Sequence, residues 1–330
     1  MPFECTKFDD GVVFNADCFE IMPLIPKKSV DLILCDLPYG TTKCAWDVIL
    51  PFDKLWESYE NVSKRNTIKC LFGSEPFSSH LRLSNINEFQ YDFIWNKVNS
   101  GNFQNCKKTP LKIHEIVSVF YKTLVKFPDD TFSVIIRENM EKLGLKQADL
   151  IDLCPSKTGG RTGWLSNKIN GIEIPTEEQW RRLCSVFGIQ NNYYELYRKS
   201  TNLYNQVDIQ SCNITQNNKG KEGRLGHFSY TKDTHIQTQT GYTKSILTFK
   251  RETGLHPTQK PVPLFEFLIK TYTNEGELVL DNCSGSGTTA ISCINTNRKF
   301  ICIERDSDYY HQSVERIKKH LEDRKIERER

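Results

Sequence analysis

The sequence predicts an α/β fold, a doubly wound, Rossmann-like sheet interrupted by a mainly helical insertion. Three observations predict it. Short runs rich in β-branched and aromatic residues alternate with helical apolar spacing over 1–127. The same alternation returns over 251–330. Between them, 128–250 holds short helical patterns and a polar stretch, so two pieces of one sheet flank an insertion. A length of 330 residues suits that arrangement.

In the first piece VVFNAD (12–17), VDLILCD (30–36), TIKCLFG (67–73), YDFIWNK (91–97) and HEIVSVFYK (114–122) read as strands. PFDKLWESYENVSKR (51–65) has helical spacing. A strand as apolar as VDLILCD fits a sheet covered on both faces. In the insertion, FSVIIRENMEKLGL (132–145), KQADLIDLC (146–154), GWLSNKING (163–171) and PTEEQWRRLCSVFGI (175–189) read as short helices, the last opened by Pro175. PSKTGGRTG (155–163) is a loop by composition. Beyond about residue 199 the chain is polar and turn-rich, either a long loop or weak β structure. In the last piece LFEFLIKTYT (264–273) is a helix, ELVLDNC (277–283) a strand, TTAISCINTN (288–297) a helix and KFICIERD (299–306) a strand. A charged amphipathic helix closes the chain.

Composition narrows the function classes. With 38% hydrophobic and 26% charged residues, the chain reads as packed rather than disordered. A net charge of +3 permits a nucleic-acid partner without arguing for one. The 12 cysteines form no CxxC pair, so neither a zinc site nor any other metal centre is expected. They read as reduced and mostly buried, in a cytoplasmic protein. MPFECTKFDD has no basic segment followed by an apolar one, so no signal peptide is expected. No apolar run approaches the roughly 18 residues that span a bilayer, and no membrane partner is expected.

Two strand ends carry the chemistry, because open α/β sheets bind ligands beyond the carboxyl ends of their strands. One is Cys283-Ser-Gly-Ser-Gly-Thr-Thr289, where Gly285 and Gly287 allow a tight turn into a helix N-terminus. About 20 residues on, Glu304 ends the next strand, placed to accept hydrogen bonds from ribose hydroxyls. The loop is neither a Walker A sequence nor GxGxxG, which disfavours NAD. The other is Asp36-Leu-Pro-Tyr-Gly40, where a carboxylate ends a buried strand. Alone, that acid reads equally as a turn residue capping a helix.

These residues resemble the β-group (permuted) DNA amino-methyltransferases, of phage-like, N6-adenine type. Asp36-Leu37-Pro38-Tyr39 is similar to their catalytic [DNS]PP[YFW] motif. Asp281-Asn-Cys-Ser-Gly-Ser-Gly-Thr-Thr289 is similar to their DPFxGSGTT cofactor loop. His256-Pro-Thr-Gln-Lys-Pro261 resembles the segment leading into that loop, and Asn15-Ala-Asp-Cys18 the short acidic motif near the start. The order, catalytic motif first and cofactor loop last, is the permuted one. Leu37 departs from the first proline, and Asn282-Cys283 from Pro-Phe.

The resemblance implies direct methyl transfer from S-adenosylmethionine to an exocyclic amine of a base flipped out of double-stranded DNA. Asp36 and the Leu37 carbonyl would accept the amine hydrogens, Pro38 would stiffen the loop, and Tyr39 would stack on the base. It implies cofactor contacts from Asp17, Cys18, His256, Gln259, Lys260, Asp281, Ser284, Gly285, Ser286, Gly287, Thr288 and Glu304. Lys260 is expected to line the approach to the cofactor, with a solvated surface charge as the alternative. Cys35 reads as buried and inert. An aspartate-led motif favours adenine, with N4-cytosine as runner-up. Glutamine methylation of a protein and a non-catalytic DNA-binding regulator stand further behind. Relatives of this kind often dimerise, so a homodimer is an expectation of the resemblance.

The insertion occupies the target-recognition position and resembles, loosely, a phage-repressor helix-turn-helix. Lys157, Arg161 and Lys168 flank a Gly-rich turn and read either as DNA contacts or as solvated charges. Arg224 lies in the polar loop 213–245, expected to order on DNA. Trp164 and Trp180 read as core of this subdomain.

Overall fold

The computed structural model describes residues 3–41, 47–99, 106–122, 131–153, 164–170, 174–193, 196, 204–208, 210–217, 234–252 and 259–329. Two central strands, β3 (Val30–Asp36) and β10 (Leu278–Asp281), pair in parallel. From β3 the chain crosses through α2 (Phe52–Val62) to β4 (Ser63–Gly73) on one side. From β10 it crosses through α9 (Thr288–Asn295) to β11 (Lys299–Glu304) on the other. The strand order therefore reverses between β3 and β10.

The rest of the sheet grows outward from this pair. β2 (Gly11–Asn15) lies parallel to β11, and β1 (Glu4–Phe8) forms that edge. Beyond β4 come β6 (His114–Phe120) and β5 (Phe89–Asn96), each antiparallel to the strand before it, and then β9 (Ile246–Thr248). The nine-stranded order is β1-β2-β11-β10-β3-β4-β6-β5-β9. Because β6 runs against β4, its first residues share the sheet edge where β3 and β10 end.

Strand alternation divides the core in two. Leu32, Leu34 and Phe72 face α8 (Val262–Tyr272), α9 and α10 (Ser307–Glu329). Ile33, Cys35 and Leu71 face α1 (Cys18–Ile21), α2 and α3 (Phe77–Ser84). Each fully buried aliphatic side chain here stabilises the fold by about 1.5–3 kcal/mol. A separate core in the insertion unites α4 (Thr131–Lys142), α5 (Gln147–Leu153), α6 (Trp164–Ile169) and α7 (Glu177–Phe187) around Phe132, Leu150, Leu165 and Trp180.

Several elements differ from the sequence reading. β1 and α3 were not expected. Helix α7 is capped by Thr176, whose hydroxyl and the Gln179 side chain form a reciprocal capping box, so Pro175 stands outside the helix. The polar stretch, left open between a long loop and weak β structure, takes the second form: a two-stranded antiparallel sheet, β7 (Gln210–Asn217) with β8 (Thr234–Thr240). β9, expected inside the insertion, joins the main sheet beside β5. Among the described residues no helix is long and apolar enough to cross a membrane.

Candidate active site

Asp36 closes β3 and Asp281 closes β10, side by side where the strand order reverses. That is the crevice where open α/β sheets take their ligands. One cavity there is lined by Asp17, Cys18, Asp36, Leu37, Pro38, Tyr39, Gln259, Lys260, Asp281, Ser284, Gly285, Ser286, Thr288 and Glu304. Fold topology thus gathers expected residues from both pieces of the sheet, 17–39 and 259–304. His256 lies outside the described residues.

The acid end is densely bonded. Tyr39 OH donates to Asp36 Oδ1 at 2.5 Å, and Lys260 Nζ donates to Asp36 Oδ2. The Tyr39 ring packs on Phe77, 5.2 Å between centroids. The following turn is fixed by Asp47, whose two oxygens accept from Gly40 N–H at 2.8 Å and Thr41 N–H at 2.9 Å. Lys260 is only 5% exposed. It is therefore no solvated surface charge: it lines the cavity and faces the Asp36 carboxylate. Its ammonium also lies 3.4 Å from Glu115 Oε2, while Lys97 holds Glu115 Oε1 at 2.5 Å.

Burial sets the protonation behaviour here. It raises the Asp36 pKa, and the Lys260 charge opposes the rise without cancelling it. Burial alone would lower Lys260, but the facing Asp36 and Glu115 carboxylates raise it. Burial works against ionised Glu115 too, yet Lys260 and Lys97 hold it below the usual carboxylate range. Cys35 is fully buried, and its thiol is pushed up to about 12, which makes it inert.

The loop 282–287 is held from three sides. Glu304 accepts from Gly285 N–H at 2.7 Å and from Asp306 N–H at 2.8 Å. Burial raises its pKa. Each oxygen keeps a second lone pair for a ligand hydroxyl. Arg316 on α10 donates to the Ser286 carbonyl at 2.9 Å and to Thr288 Oγ1 at 3.1 Å. Tyr59 OH donates to Asn282 Oδ1 at 2.6 Å. Gly287, at φ +75°, is the N-cap of α9. Asp281 accepts from Thr289 Oγ1 and from Cys283 N–H, and burial pushes its pKa up to about 7. Asp17 caps α1, accepting from Phe19 N–H at 2.8 Å.

Gln259 Oε1 and Ser284 Oγ are buried around this cavity with no hydrogen-bond partner among the described residues. Orphaned polar atoms are costly unless a ligand satisfies them. The set suits a ligand bearing amine or hydroxyl donors, as the methionine and ribose parts of S-adenosylmethionine do.

The expected DNA contacts fare differently. Lys168 is only 6% exposed on α6, packed into the helical subdomain, so it does not present the surface charge expected of it. Lys157, Arg161 and Arg224 lie outside the described residues. Sequence reading missed Glu115, Asp47 and Arg316. A lone acid opening the apolar run HEIVSVF was a signal for Glu115, by the same logic that singled out Asp36.

A Rossmann-like sheet with an acid-led loop and a glycine loop on adjacent strand ends forms the ligand crevice of an open α/β fold. The chain belongs to the N6/N4 DNA methylase family, whose pattern matches residues 30–315. It is 44% identical over 62 residues to the type II methyltransferase M.HpaI of Haemophilus parainfluenzae, covering 19% of this chain and 20% of that protein. It is equally 44% identical over 62 residues to the DNA adenine methyltransferase YhdJ of Escherichia coli K12, covering 19% and 21%. The chain thus spans about a fifth of these curated relatives. Among solved structures, the M1.HpyAVI–SAM complex aligns over 92% of this chain and 98% of that one, at 18% identity and a TM-score of 0.47.

Proposed function

We propose that the protein is a site-specific, S-adenosylmethionine-dependent DNA methyltransferase that modifies N6 of adenine in double-stranded DNA. The observation that carries this reading is the placement of Asp36 and Tyr39 beside the 284–288 loop in one cavity of an N6/N4 methylase chain. The similarity to a relative named as an adenine methyltransferase supports adenine as the target.

The target amine is a weak nucleophile, because its lone pair is delocalised into the ring. Asp36 accepts one of its N–H hydrogens and the Leu37 carbonyl the other, which favours a pyramidal nitrogen with a directed lone pair. Tyr39 stacks on the extruded base and keeps Asp36 oriented. Ser284, Gly285, Ser286 and Thr288 would hold the cofactor's methionine end, Glu304 the ribose and Asp17 the adenine side. When bound, S-adenosylmethionine would supply an electrophilic sulfonium methyl, its carbon–sulfur bond breaking to leave the thioether S-adenosylhomocysteine while the amine sheds one proton to solvent. Positioning and fixed dipoles then lower the barrier. A cytoplasmic location and a homodimer belong to the same proposal. Light scattering of the purified protein checks the dimer, with a mass twice that of the chain expected.

Single-molecule sequencing of DNA from a methylation-free host tests the reading. Modified adenines in one short motif are expected with the wild-type chain and none with Asp36→Ala. Modified cytosines would replace adenine by N4-cytosine. Unmodified DNA from a host containing folded wild-type protein would sink the proposal.

A further inference from the structure

Lys260 sits where a substrate amine has to bind. Its Nζ donates to Asp36 Oδ2, and Tyr39 OH takes Oδ1, so both oxygens of the acid are engaged. A neutral aromatic amine is a weaker donor than an ammonium, so while Lys260 holds Oδ2 the amine is left with the poorer lone pairs of oxygens that are already engaged. A second acceptor lies within reach. Glu115 Oε2 is 3.4 Å from the same Nζ, buried, and accepts no hydrogen bond among the described residues. Its sister oxygen is held by Lys97 at 2.5 Å, which fixes the carboxylate on β6. The Phe72 and Tyr39 rings, 5.4 and 5.9 Å from Nζ, wall the ammonium in.

Resting on the methyltransferase reading, we propose that Lys260 is a displaceable stand-in for the target amine, holding Asp36 in the free protein and passing to Glu115 when an amino base enters. The ammonium has three N–H donors and needs to move only about 1 Å to make a normal bond to Glu115. Asp36, Glu115, Lys97 and Lys260 sum to zero charge in either position. A shift of that size keeps the ammonium within ion-pair reach of Asp36 while it bonds Glu115, so neither carboxylate is left as an isolated buried charge. Lys260 is a positioning residue here and Glu115 its receiver.

NMR of the lysine side-chain Nζ signals in the full-length chain tests this directly, with Lys260→Met identifying the Lys260 signal. The probe is a single-stranded oligonucleotide containing adenine and cytosine. Its control carries hypoxanthine and uracil instead, which lack the exocyclic amine. The Lys260 signal is expected to move with the first and not with the second, and to stay still in Glu115→Gln. No movement with either, or equal movement with both, overturns the proposal. This readout needs no methyl transfer, so it decides the matter even where sequencing finds no modified base, an outcome that sinks the function instead.

Kinetics supply the second arm. Glu115→Gln is expected to lower kcat about tenfold with cofactor affinity unchanged. Adding Lys260→Met, which removes the competitor, is expected to recover much of that loss at alkaline pH. Lys260→Met alone is expected to move the acid limb of the pH profile up by about one unit. A double variant worse than Glu115→Gln at alkaline pH would assign Glu115 a merely structural role and overturn the exchange.

Discussion

The Glu304 carboxylate accepts a 2.7 Å hydrogen bond from the Gly285 N–H, so the end of β11 holds the loop that leaves β10. Charge-assisted bonds of this kind are worth about 1.5–3 kcal/mol. Glu304→Ala is therefore expected to weaken S-adenosylmethionine binding about 10- to 100-fold, measured by calorimetry. Glu304→Gln keeps one acceptor and is expected to fall between the two. An unchanged dissociation constant in Glu304→Ala would remove the ribose role.

Asp36→Ala is expected to lower methyl transfer by roughly 100- to 1,000-fold while cofactor binding persists. Burial raises the Asp36 pKa, against the opposing Lys260 charge and beside Tyr39 and Glu115. Only the ionised form accepts both donors. The acid limb of kcat/KM against pH is thus expected above the ordinary carboxylate value of about 3.9. A limb at or below that value would contradict the desolvation argument.

Tyr39 makes two separable contributions. Tyr39→Phe deletes the 2.5 Å bond to Asp36 and keeps the ring, and a loss of about tenfold in kcat is expected. Tyr39→Ala also removes the surface for the base and is expected to cost substantially more. Equal losses in the two variants would leave stacking without a part.

The two loop glycines predict different penalties. Gly287 has φ +75°, and a Cβ there would meet Ser313 Cβ at 3.1 Å and Ile317 Cδ1 at 3.3 Å. Gly285 has φ +48° and open space around it. Gly285→Ala is expected to cost about 1 kcal/mol of backbone strain, and Gly287→Ala clearly more, because α10 must give way. Thermal unfolding of the two variants checks the ranking.

Asp281 makes stability depend on pH. Its folded pKa of about 7 lies above the ordinary aspartate value of about 3.9. Between those values the folded state binds the extra proton, so this group's contribution falls as pH rises. Asp281→Asn removes the dependence. Its advantage over the wild type is expected to grow from pH 4 to 7, to at most about 4 kcal/mol in the ligand-free protein. A constant difference across that range would contradict the raised pKa.

What the sequence disclosed followed local pattern. VDLILCD reads as a strand because every position from Leu32 to Cys35 is buried between two helix layers. The loop beginning at Cys283 reads as a turn because Gly285 and Gly287 adopt positive φ. What stayed hidden depends on tertiary partners. FSSHLRLS becomes α3 because Phe77 and Leu81 find the core beside β4, not because its own spacing is strong. β9 is three residues long and exists through its pairing with β5. The Lys260–Asp36 pair joins residues 224 apart, so no local pattern reveals it. The Thr176 capping box, by contrast, was written in TEEQ and overlooked beside Pro175.

The pairing of β2 with β11 sets Gly11 against Phe300 and Asn15 against Glu304. An early strand must therefore wait for nearly the whole chain before it is covered on that side. Such high contact order makes folding slow and leaves the N-terminal β-strand edge open during synthesis. A ribosome stalled within the insertion would carry the Asp36 loop with no second half to complete the crevice. The crevice gains Glu304, and β2 its parallel partner, only once β11 has been made, so the site forms in one late step rather than by halves.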